Sequence, residues 1–82
     1  MMGHDQFGSN EETQQRALLL QHYPVLKFFS YAHLPIELRE FSRSFCQLAY
    51  DMASRLPKNA ETAAGLRKLL EAKDCFVRAK VP

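Results

Sequence analysis

The residues of this 82-residue sequence that could do chemistry are few and dispersed. Its histidines, His4, His22 and His33, share no His-x-x-x-His spacing, and its cysteines, Cys46 and Cys75, form no Cys-x-x-Cys pair. A structural metal site takes four such ligands at short spacings, and nucleophilic catalysis needs a nucleophile held within reach of a base. These positions assemble neither better than chance would. The glycines stand apart at positions 3, 8 and 65, so no glycine-rich loop is available to cradle a phosphate. No enzymatic activity, metal or cofactor is expected.

What remains is binding chemistry. Phe28, Phe29 and Tyr31 crowd one short segment, and folding can bring Arg39, Arg43 and Lys73 toward it. An aromatic face beside two or three cations suits a nucleotide, because the base stacks and the phosphate is neutralised. The plainer reading is that the aromatics plug the end of a helical core while the arginines stay solvated.

The composition bounds what such a site could serve. A formal charge of +2, with basic and acidic residues interleaved, excludes the basic stripe of a duplex DNA- or RNA-binding protein. The apolar runs are too short to span a membrane. The opening MMGHDQFGSN lacks the apolar core of a signal peptide, so a cytoplasmic setting with reduced cysteines is expected. A chain this short makes one domain with a marginal core, which neither disulfides nor metal reinforce. Self-association is the remaining support, so an oligomer is expected.

The elements that must position these residues are all helical. Residues 1–8 read as a disordered tail, and a single helical domain follows over residues 9–82. Ser9 with Glu12 fits a capping box and opens a short first helix, which Tyr23-Pro24 ends. Residues 25–35 show no helical stripe and read as an extended aromatic arm. Pro35 suits the first turn of a second helix, whose stripe is Phe41, Phe45, Leu48, Met52 and Leu56, and Pro57 stops it. Asn59 is a good N-cap for a third helix running from Ala60 to about Lys80. So short a connection makes the second and third helices an antiparallel hairpin, with Phe45 roughly opposite Leu70 and Arg43 roughly opposite Lys73.

Two positions break the pattern of the third helix. Lys73 stands where the stripe of Ala63, Leu66, Leu69, Leu70, Phe76 and Val77 calls for an apolar residue. It either snorkels or pairs with a nearby glutamate such as Glu71 or Glu40, or it meets an anion at an interface. Its replacement by leucine is expected to raise thermal stability, since a buried cation beside leucines is costly unless paired. Gly65 costs about 1 kcal/mol relative to alanine in a helix interior, and close approach of a neighbouring chain is one reason to keep it.

Phe29-Ser30-Tyr31, His33 and Pro35 resemble the F-x-Y-H-x-P entry of a phage-encoded helical-hairpin family. That family includes the anti-CBASS cyclic-nucleotide sponge and a Thoeris anti-defence sponge. The likeness extends through Leu48-Ala49-Tyr50-Asp51-Met52, the Leu56-Pro57 turn, Ala60-Glu61 and the run from Leu66 to Ala72, covering roughly residues 28–80. It implies a homo-oligomer, a hexamer in that family, that binds cyclic nucleotides between protomers and sequesters them without cleavage in the infected host's cytoplasm.

On this resemblance Tyr31 stacks on a base. Arg39, Arg43 and Lys73 are the candidates for the phosphates, Ser30 and His33 add hydrogen bonds, and Arg67 and Arg78 are reserves for a second site. The sequence departs from the family in having Ala32 after the tyrosine and His33 one residue late. The family's phosphate-binding lysine would fall near Cys46 or Gln47, where no lysine stands. The rival expectation is a protein-interaction module whose apolar faces dock on a partner.

Overall fold

A computed structural model describes the backbone of residues 2–81 and the side chains of residues 11–81. The chain is all-helical, in the order α1 (Met2–His22), a 3₁₀ helix (Pro24–Phe29), α2 (Ile36–Arg55) and α3 (Ala60–Lys80). The backbone of α1 is helical from Met2, ahead of the start expected at Ser9. The Ser9 side chain and the side chains of the expected tail over residues 1–8 lie outside the described residues.

The bounds of α2 and α3 follow from local chemistry. Pro35 occupies the N-cap position of α2, and its carbonyl receives the amides of Leu38 and Arg39. At the other end Leu56 is extended, as a residue preceding proline prefers to be. Asn59 caps α3, its side-chain carbonyl accepting the amide of Thr62 at 3.0 Å. The Thr62 hydroxyl donates back to the carbonyl of Pro57 at 2.8 Å, which locks the turn.

The segment expected as an extended arm is instead a 3₁₀ helix followed by a turn over residues 31–34. Pro24 sets the first φ angle, and the amide of Leu26 reaches the carbonyl of Tyr23 at 3.0 Å. A 3₁₀ helix has three residues per turn, so Tyr23, Leu26 and Phe29 fall on one face. All three are buried, and Phe29 is wholly enclosed. Phe28, on another face, points outward.

The core gathers Leu19 of α1, this 3₁₀ face, Cys46, Ala49 and Ala53 of α2, and Leu66 of α3. The buried row of α2 is therefore Leu38, Ser42, Cys46, Ala49 and Ala53, one position round the helix from the expected stripe. Small residues face inward because they let neighbouring backbones approach closely. The larger stripe lies at the edge: Phe41, Phe45 and Met52 are half-buried, while Leu48 and Leu56 are 44% and 45% exposed.

α2 and α3 run side by side, with Pro35, Glu37 and Leu38 sharing a recess with Lys80 and Val81 at the end remote from the turn. Phe45 meets Phe76, their ring centroids 5.8 Å apart. Long helical side chains lean toward their own N-terminus, so two rings on opposed helices converge from positions offset in sequence.

The Cα trace occupies 47 × 33 × 16 Å, a slab at most two helix layers thick. Its radius of gyration is 14.3 Å, above the roughly 12 Å of a compact chain of this length. Among the described residues no third layer covers the outer edge of the α2–α3 pair, and its leucines remain exposed. Among the described residues no helix is long and apolar enough to cross a membrane.

Candidate functional site

Tyr31 and Ser30 line a cleft of about 530 Å³ between α1, the 3₁₀ helix and α2. Its floor is apolar, from Leu20, Leu26 and Cys46, and its rim carries two cations, Arg16 and Lys27, with a second tyrosine, Tyr50. The Arg16 guanidinium lies over the Tyr50 ring, 4.5 Å from its centroid. Lys27 extends over Phe28, 5.2 Å from ring centre to ammonium. Both cations are exposed, and both tyrosines are half-buried and line the cleft.

Arg16 and Tyr50 also border a second, polar recess of about 250 Å³ formed with Glu12, Gln15, Gln47, Asp51 and Ser54. Its carboxylates disfavour phosphate, so an anion belongs on the Lys27 side of Arg16 and not among Glu12 and Asp51. Asp51 is already engaged, accepting from Arg55 at 2.8 Å.

Burial raises the Cys46 thiol above its ordinary value, and this outweighs the opposing pull of Arg16 and Lys73. Burial likewise raises the Tyr50 phenol, reinforced by Cys46 and opposed by Arg16. Near neutral pH both groups are uncharged, so the cleft's charge comes from Arg16 and Lys27.

The expected cation cluster is arranged differently. Lys73 is 7% exposed, and its ammonium donates to the carbonyl of Phe28 at 2.7 Å, with Asp74 at 3.8 Å and the Phe29 ring centroid at 5.8 Å. Its charged neighbour is thus Asp74, not Glu71 or Glu40. Arg39 donates from Nε to the carbonyl of Leu34 at 2.8 Å. Both residues therefore reach the aromatic segment, but they grip its backbone carbonyls and do not border the Tyr31 cleft.

Arg43 and Arg67 are exposed on α2 and α3, His33 is exposed in the turn, and Arg78 is exposed with Nη2 3.4 Å from Cys75 Sγ. None of them lines the cleft. Of the expected site residues, then, the fold brings Tyr31 and Ser30 together and supplies Arg16, Lys27 and Tyr50, which sequence reasoning passed over. The available signal was the spacing of Tyr23, Leu26 and Phe29: with these on one 3₁₀ face, Lys27 and Ser30 share another.

Among the described residues no group of three or more His, Cys, Asp and Glu side chains is placed to hold a metal ion. Comparison with protein-family models, with curated proteins and with solved structures finds no match.

Proposed function

We propose that this chain is a non-catalytic sponge that binds a cyclic di- or oligonucleotide signal and withholds it from a defence system of the infected cell. The observation that carries this reading is the company Tyr31 keeps: a second tyrosine and two cations around one cleft. Tyr31 would stack on a base, Arg16 and Lys27 would meet phosphate oxygens, and the Ser30 hydroxyl would add a hydrogen bond. A cleft of about 530 Å³ falls in the range that accommodates small ligands. The resemblance of residues 28–80 to the phage sponge family supports the same ligand class and a hexameric helical-hairpin assembly. The exposed leucine edge of α2 supports self-association, since a hairpin that hides its small residues leaves its large ones for another surface.

Sequestration needs tight binding and no bond cleavage. Isothermal titration against a panel of cyclic di- and trinucleotides tests it, with Tyr31→Ala as the control. A stoichiometric interaction weakened by the substitution is expected, with intact ligand recovered after heat denaturation. Appearance of linear or hydrolysed products would instead establish an enzyme. The same leucine edge also favours a second reading, a module that docks on a different protein, and failure of every nucleotide to bind would put that reading first.

A further inference from the structure

At the turn end of the α2–α3 pair, Leu48, Met52 and Leu56 of α2 and Gly65, Leu66 and Leu69 of α3 line an open groove of about 500 Å³. Gly65 lies in the interior of α3, where glycine costs about 1 kcal/mol relative to alanine. A Cβ at this position would meet nothing within 4 Å. Among the described residues no contact calls for glycine here, and the open position leaves room for close approach from outside the protomer.

We propose that the groove is a two-fold contact between copies of this chain, with α3 crossing α3 of a second copy in antiparallel fashion at Gly65. The occupant follows from charge. Glu61 and Lys68 flank Gly65 on the same side of α3, about 6 Å before it and about 4.5 Å after it at 1.5 Å per residue. A two-fold axis perpendicular to the helix carries Glu61 of each copy to Lys68 of the other. Two equivalent ion pairs form, as an isologous contact requires. A parallel crossing would set Glu61 against Glu61 and Lys68 against Lys68. The exposed Leu48 and Leu56 stand beside the crossing and would be covered by the incoming helix, and the missing Cβ allows the backbones to approach.

This deepens the self-association part of the proposed function and is independent of what the Tyr31 cleft binds. The test is the mass of the full chain by sedimentation equilibrium for the wild type and for Gly65→Ala, Glu61→Lys, Lys68→Glu and the double charge swap. In the monomer Gly65→Ala is free of clashes and favours helix, so low-concentration melts should show Tm unchanged or raised. Self-association should nonetheless fall by about tenfold or more through lost close packing. Each charge reversal should weaken association by about fivefold, the scale of two exposed ion pairs turned repulsive, and the double swap should restore it.

A monomeric wild type would overturn the proposal. So would a Gly65→Ala variant that self-associates like the wild type, or a double swap no better than its parents. Nucleotide titration of the same variants separates the two claims: association through the groove without nucleotide binding supports this contact and removes the sponge reading. Nucleotide binding with association indifferent to all four substitutions does the reverse.

Discussion

The ammonium of Lys73 and the carbonyl of Phe28, 45 residues apart in sequence, are joined by a 2.7 Å hydrogen bond. The last carbonyls of a short 3₁₀ helix have no partner within it, and Lys73 supplies one from the middle of α3. An apparent fault in the α3 stripe is thus a fastening between α3 and the 3₁₀ helix. Arg39, by donating to Leu34, does the same for the turn that follows.

Replacing Lys73 tests this fastening. With its partner in place, Lys73→Met keeps most of the stem's packing but loses a charge-assisted hydrogen bond, a loss of about 1.5–3 kcal/mol. For a domain this small each kcal/mol shifts Tm by roughly 4–8 °C. A fall in Tm is therefore expected, the reverse of the gain that an unpaired buried lysine would give. A rise would mean that burying the ammonium costs more than its bond returns.

Alkaline pH should loosen the fold through Cys46. Burial raises its thiol above the ordinary 9.0, so the folded state favours the neutral form. That stability is fully present below the unfolded value and is lost as pH rises through the folded one. Tyr50, raised above 10.0 mainly by burial, acts in the same direction at higher pH. Denaturant melts should show stability falling as pH rises through about 8.5–9, where an unfolded cysteine is half ionised. Cys46→Ala should flatten the first part of that fall. At pH 7.5 a thiol reagent should label the exposed Cys75 quickly and the buried Cys46 only on unfolding.

The bounds of α2 and α3 were legible because Pro35, Pro57 and Asn59 are local signals whose chemistry acts within a turn. The inward face of α2 was not. A stripe of Phe41, Phe45, Leu48, Met52 and Leu56 is the more hydrophobic row, yet Ser42, Cys46, Ala49 and Ala53 face the core, since close packing selects for size as well as polarity. The 3₁₀ helix escaped notice because its period of three matches neither helix nor strand templates. Tyr31 and Ser30 were readable as site residues from their types. Lys27 follows from the 3₁₀ spacing that pairs it with Ser30, whereas Arg16 and Tyr50 join them only through tertiary placement, which a pairing of α2 with α3 alone does not reveal.

The Asn59 cap offers a local check on the turn. Asn59→Ala removes the acceptor for the Thr62 amide and should cost about 1 kcal/mol. Asn59→Asp should hold or exceed wild-type stability, because a carboxylate also accepts that amide and suits the positive end of α3. Equal losses in both variants, read by urea melts, would show that the amide bond at this cap contributes little.

The cleft makes its own demand on cations. If Arg16 and Lys27 meet phosphates, Lys27→Ala and Arg16→Ala should each weaken cyclic-nucleotide binding by about tenfold, the value of one charge-assisted hydrogen bond. Both should also reduce the salt dependence of binding, because fewer ion contacts remain to be screened. Arg67→Ala and Arg78→Ala alter exposed cations on α3 outside the cleft, so affinity there should hold. Arg16 requires one more control, since its guanidinium also lies over Tyr50. Arg16→Lys keeps the charge and gives up planar stacking, so it should recover most of the affinity if phosphate contact dominates. An Arg16→Lys variant as weak as Arg16→Ala would instead assign Arg16 to holding the tyrosine face.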